Sequence, residues 1–287
     1  MALTNIIDGY TIGTGGEAWT TDVDESTSVL LSGSRSIHFK STAQAPVRLR
    51  TANDNSIPVV EGRTYVAWAY ARADDITSAR VLLRVWWRAA DLTAVASTDV
   101  YLDELTAADT WEYLHGVAVA PSGARFAWIG LGREDASFNA YFDEVGLAPA
   151  VPYWTMSRIT SAQSVNDSTD TTVVYNNSTG IDTTPNTGTG VVTIDVAGYY
   201  QVNASVNWAT MGDQARVQMA LRKNGSGAIA ILADGGASGT AQHQTTGSFT
   251  YPFASGDTLE VVVNQNSGGA RNVAASVGTY FTGIRLM

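Results

Sequence analysis

The chain has 287 residues, with 17 Lys and Arg against 27 Asp and Glu, a formal net charge of -10, no cysteine, and 15% charged against 45% hydrophobic residues. Such a chain is too apolar to be disordered, can form no disulfide or thiolate metal site, and through its acidity disfavours a nucleic-acid partner. Its 27 glycines lack the strict period of collagen, and no apolar run approaches the ~18–20 residues of a helical membrane span, so no membrane insertion is expected.

Met1 to Gly16 has neither the basic start nor the apolar stretch of a secretory signal, which predicts assembly in a cytoplasm. Gly13-Thr14-Gly15-Gly16 has no strand pattern before it and no helix pattern after it, and reads as a loop. Alternation at period two then predicts strands at Tyr65–Tyr70, Arg80–Trp87 and Phe126–Leu131, with one short helix candidate at Leu102–Asp109. Leu147 to Pro152 holds two prolines, which cannot donate to a sheet ladder, and predicts a stiff linker. Composition shifts across it. Residues 1–150 hold 11 Lys and Arg against 19 Asp and Glu, residues 151–287 hold 6 against 8, and six of the eight tryptophans lie in the first part. Beyond it, Gly190–Ile194, Tyr199–Trp208 and Leu259–Val263 are again β-rich. Turn signals at Glu61-Gly62, Ser122-Gly123, Ala197-Gly198, Asn224-Gly225 and Gly256-Asp257 separate the runs. The pattern predicts an all-β protein of two antiparallel β-sandwich (jelly-roll) domains in tandem, residues 1–149 and 150–287.

Residues 5–148 resemble the carbohydrate-binding modules of families 4 and 9. The resemblance is carried by Asn5-Ile6-Ile7-Asp8, Trp19, Ser32 to Phe39, Ile57 to Tyr65, and the closing Tyr141-Phe142-Asp143-Glu144-Val145-Gly146-Leu147. It implies a jelly roll that stacks sugars on aromatic rings, with Trp68, Tyr70, Arg84, Trp86 and Trp128 as candidate ligand-binding residues. Those aromatics could equally fill the core. Trp86 and Trp87 are adjacent and must point to opposite faces, so at most one lies between the sheets. The resemblance also implies a structural calcium (Ca2+) at Asp8 and Asp143, with carbonyls near Ser34. The alternative is that Asp143 is a strand-end carboxylate satisfied by backbone N–H groups.

Residues 153–287 resemble the C1q/tumour-necrosis-factor jelly roll. Thr172 to Asn176, Val191 to Val196 followed by Ala197-Gly198-Tyr199-Tyr200, Leu221-Arg222-Lys223-Asn224-Gly225, Ala254 to Val261 and Tyr280 to Leu286 match its successive strands. Asn224-Gly225 also has a mechanism, since both central residues of a type I′ turn need positive φ. The resemblance implies a homotrimer with its first and last strands near the threefold axis, which makes Tyr153, Trp154, Tyr280, Phe281 and Leu286 candidate trimer contacts. Packing within their own protomer is the alternative for each.

No G-x-S-x-G, H-E-x-x-H or phosphate-binding loop is present. His38, His115 and His243 lack metal-ligand spacing, and Asp74-Asp75 and Asp103-Glu104 are sequence neighbours in turn regions. No enzymatic activity is therefore expected. The combination of modules points to a homotrimeric virion protein, a bacteriophage fibre, tail spike or head decoration, which binds a host-surface glycan or other virion proteins. The competing expectation is an accessory carbohydrate-binding module of a bacterial polysaccharide-degrading system.

Overall fold

The computed structural model describes residues 23–33, 36–40, 47–50, 56–77, 80–134, 138–212, 214–237 and 242–286. The chain divides into two compact units, Met1–Ala150 and Val151–Met287. Each is an antiparallel β-sandwich, and no helix occurs among the described residues.

In the first unit one sheet runs in the order β1 (Val23–Ser26), β2 (Ser36–Phe39), β10 (Ala140–Pro149), β5 (Thr64–Ala73) and β8 (Glu112–Val119). The other runs β3 (Val47–Arg50), β9 (Phe126–Glu134), β6 (Arg80–Arg88) and β7 (Ala94–Glu104), with β4 (Ile57–Pro58) also paired to β9. The inner side of β5 is Tyr65, Ala67, Ala69, Ala71 and Ala73, all buried. These small side chains leave room for the large inner residues of β6, namely Val81, Leu83, Val85 and Trp87, in the same core. Burying each such large side chain contributes about 1.5–3 kcal/mol. The bulky half of β5, including Trp68 and Tyr70, is therefore turned outward.

In the second unit one sheet runs β12 (Gln163–Val165), β22 (Arg271–Val273), β17 (Gly198–Trp208), β23 (Ser276–Arg285), β11 (Tyr153–Arg158) and β14 (Asn177–Ile181), with β20 (His243–Phe253) also paired along β17. The facing sheet runs β15 (Thr183–Asn186), β16 (Val191–Ile194), β21 (Thr258–Gln265), β18 (Arg216–Lys223) and β19 (Ala228–Gly236), with β13 (Thr171–Thr172) paired to β21. An aromatic cluster of Trp154, Tyr200, Phe253 and Phe281 fills the core, joined by Trp208 and aliphatic residues of both sheets. The turn between β18 and β19 has Asn224 at φ 54° and Gly225 at φ 63°. Ser226 N–H donates to Lys223 O across it at 3.1 Å, which is a type I′ turn.

Two local expectations are corrected. Leu102–Asp109 is not a helix: β7 runs on to Glu104. Leu105 is then drawn into the core, its N–H bonded to Val81 O at 3.0 Å. Thr172–Asn176 is not one strand either. Val173 N–H bonds Val261 O in one sheet while Asn176 N–H bonds Ser157 O in the other, so the segment crosses the sandwich.

Candidate functional site

The five candidate ligand residues of the first unit do not form one site. Arg84, Trp86 and Trp128 share the outer face of the β9–β6–β7 sheet, where Trp86 opposes Trp128 and Arg84 opposes Gly130. Trp68 and Tyr70 lie on the outer face of the opposite sheet. Of the adjacent pair, Trp87 is the inner residue, edge-on to Tyr65 at 6.0 Å, and Trp86 is turned outward, half-buried.

Trp86 lies across a glycine. A Cβ at Gly130 would come within 3.0 Å of Cη2 and Cζ3 of its ring, and within 3.3 Å of Arg84 Cβ. One side of the indole is thus supported by bare backbone, the close approach that only glycine permits. Beside it Arg84 Nη2 donates to Glu134 Oε1 at 2.8 Å, with both side chains largely covered, at 14% and 15% exposure. Tyr101, opposite Arg84 on β7, is 45% exposed, and Arg80 sits 5.1 Å above its ring. The aromatic ring, a charge-paired guanidinium and a carboxylate converge on one sheet face. That is the pattern of an apolar surface with a few fixed polar groups.

Trp128 is corrected from a stacking residue to a supporting one. It lies in the strand expected at Phe126–Leu131, but it is buried. Arg88 covers its ring with Cζ 4.0 Å from the centroid, and Nε1 donates to Ser56 Oγ at 2.8 Å. Glu134, Tyr101 and Arg88 were not singled out in the sequence. They join the site only through strand register, which no local pattern reveals.

On the opposite face Trp68 covers Gly146, where a Cβ would lie 2.2 Å from its Cζ2. Tyr70 meets Tyr113 at 5.0 Å, and Tyr113 stacks on His115 at 5.1 Å. Tyr70, Tyr113 and His115 thus pack on one another, while the Trp68 ring packs on Gly146.

Asp143 is fully buried next to the irregularity in β10, where Glu144 takes φ 48°. Its Oδ2 accepts from Leu31 N and Ser32 N at 3.2 and 3.1 Å, and its Oδ1 from Glu144 N at 2.7 Å. These three backbone N–H groups satisfy Asp143 as a strand carboxylate. Asp8 and Ser34 lie outside the described residues. Among the described residues no three His, Asp or Glu side chains gather into one group.

In the second unit two of the five candidate trimer residues are corrected. Trp154 and Phe281 are wholly buried and pack on each other at 5.4 Å inside the protomer. A Cβ at Gly283 would strike the Trp154 ring at 2.0 Å. The reason is the period of the strand: neighbours point to opposite sides, so only one of Tyr153/Trp154 and one of Tyr280/Phe281 can face outward. Tyr153 and Tyr280 are the outward ones, half-buried, and Leu286 is exposed. Register aligns Tyr153 with Ile181 and Ile284 across three strands. Ile284 is opposite Gln201 on β17, which in turn is opposite Thr250 on β20. The outward positions of these strands carry Thr, Ser, Asn, Gln and Tyr with the apolar Ile181, Ile284, Pro252 and Leu286, and no charged residue.

No protein-family model matches the chain, and no curated protein matches it. Solved structures do. Murine APRIL at pH 8.5 is 12% identical over 48% of this chain and 100% of its own, with a TM-score of 0.35. The enzymatically active domain of bacteriophage CBA120 tailspike protein 4 is 16% identical over 45% of this chain and 18% of its own, at 0.35. The CBM22-1-CBM22-2 tandem domain of Paenibacillus barcinonensis Xyn10C is 15% identical over 92% of this chain and 89% of its own, at 0.36.

Proposed function

We propose that the protein is a non-enzymatic, homotrimeric recognition protein of a virion, a phage fibre, tail spike or head decoration, whose first unit binds a host-surface glycan or another virion protein. The observation that carries the reading is the Trp86 indole laid over Gly130 beside the covered Arg84–Glu134 pair and the exposed Tyr101 ring. An indole held against backbone on one side offers its other side to the C–H face of a pyranose. The neighbouring guanidinium and carboxylate fix hydroxyls by charge-assisted bonds.

Assembly is supported by the uncharged outer face of the β20–β17–β23–β11–β14 strands. Three such faces can meet around an axis without burying an unpaired charge, which would cost several kcal/mol. A trimer presents three platforms together, and linked sites raise avidity without any new contact.

The reading is tested on a glycan array with the full chain and Trp86→Ala. The expected result is binding to a defined set of glycans that falls at least tenfold in the variant. An unchanged profile, or none for either protein, contradicts it. A monomeric chain that still binds glycan through Trp86 favours the accessory-module reading.

A further inference from the structure

A small polar pocket opens on the second unit, on the sheet opposite the proposed trimer face. Its volume is about 260 Å³, and Ser168, Arg216, Gln218, Asn264 and Asn266 line it. Strand register builds it. Gln218 on β18 stands opposite Asp234 on β19 and opposite Asn264 on β21. Gln218 Nε2 donates to Asp234 Oδ2 at 3.0 Å, and Asn264 Nδ2 donates to Asp170 Oδ1 at 2.7 Å. A carboxylate therefore pins each amide by its nitrogen and fixes which end is which. Gln218 Oε1 and Asn264 Oδ1 are left without a partner among the described residues, on directly opposed positions whose Cβ atoms are roughly 5 Å apart. Asn266 Oδ1 accepts from Arg216 N at 2.7 Å, which leaves Asn266 Nδ2 as an unused donor among the described residues.

The charges around the pocket cancel. Arg216 grips both oxygens of Asp234, Nε at 2.8 Å and Nη2 at 2.5 Å, and Arg222 pairs with Asp170. Arg216 and Gln218 hold the Asp234 carboxyl down at about 2, so the first pair stays intact across ordinary pH. An anion finds no uncommitted cation here. A cation would meet the Arg216 guanidinium. An apolar ligand finds no aromatic or aliphatic lining residue. A hydroxyl, which donates and accepts in turn, fits two adjacent acceptors and one donor. The volume is below the roughly 300–1,000 Å³ of drug-sized sites, so it suits one ring.

We propose that this pocket binds a single neutral hexopyranose unit, with Gln218 Oε1 and Asn264 Oδ1 accepting from adjacent hydroxyls and Asn266 Nδ2 donating. The site is separate from the platform on the first unit and does not depend on it.

The test is saturation-transfer NMR on the full chain in the Trp86→Ala background, which removes stacking on the first unit. The probes are D-glucose, D-galactose and D-mannose, with inorganic phosphate and calcium chloride as competitors. At least one hexose should receive saturation, with affinity unchanged from pH 5 to 8 and unaffected by either competitor. Gln218→Leu and Asn264→Leu should each weaken it at least tenfold. If either variant fails to fold by circular dichroism, Asn266→Ala, which lies outside the strands, should weaken binding likewise. No transfer from any hexose, transfer that survives the substitutions, or displacement by phosphate or calcium overturns the proposal.

Discussion

Trp86 and Trp87 show how one position of strand phase separates a binding side chain from a core side chain. Trp87 is 1% exposed and touches Tyr65, whereas Trp86 rests on Gly130 at the surface. Replacing a large buried aromatic by alanine costs about 3–5 kcal/mol. Trp87→Ala should therefore lower the denaturation midpoint sharply, and Trp86→Ala should leave it within a fraction of that while losing glycan. Comparable losses of stability in the two variants would refute this division. The sequence showed that the two must point apart but not which points inward. That choice depends on the alanines of β5 facing β6, a contact between strands with no local signature. Asp234 gives a pH prediction at the same scale. Its carboxyl, ordinarily near 3.8, is held at about 2 by Arg216 and Gln218. A depressed carboxyl stabilises the fold above its unfolded value and loses that contribution as pH falls through the folded one. The native chain should lose stability between about pH 4 and 2 relative to Asp234→Asn. Parallel acid-denaturation curves would contradict the pair, which is exposed and worth little in salt.

At the scale of elements, most strands were legible because alternation and glycine-rich turns are local. The runs at Tyr65–Tyr70, Arg80–Trp87, Phe126–Leu131, Tyr199–Trp208 and Leu259–Val263 all lie within strands, and the run at Gly190–Ile194 does so but for Gly190, which takes φ 76° just before β16. Asn224-Gly225 makes the turn that its positive φ angles demand. The failures came where the chain leaves a sheet. The stretch from Thr172 to Asn176 has strand-like residues but passes from β21 to β11, and a buried arginine steadies that crossing. Arg158 donates Nη2 to Ala162 O at 2.8 Å and Nη1 to Val174 O. Burial draws its guanidinium below the ordinary arginine range, though it remains charged. Lysine has no planar fork and cannot reach both carbonyls at once. Arg158→Lys should cost about 1–3 kcal/mol in thermal unfolding, the price of a buried carbonyl left unpaired. A variant as stable as the native chain would show that the crossing holds without it.

For the whole molecule, sequence resemblance anticipated the sandwich architecture better than the chemistry on it. The candidate sugar ligands fell on two opposite faces, and Trp154 and Phe281 went to the core. Family patterns record where strands occur, while site membership depends on register between strands distant in sequence. What unites the account is the charge-free face of β11, β23, β17 and β20 in the second unit, centred on Tyr153, Tyr280, Ile284 and Leu286. The most direct measurement is sedimentation of the full chain at micromolar concentration. The account predicts one species of three times the chain mass that dissociates when Ile284→Asp places three carboxylates on the shared face. A monomer or a twofold dimer, or a trimer indifferent to that charge, would contradict it.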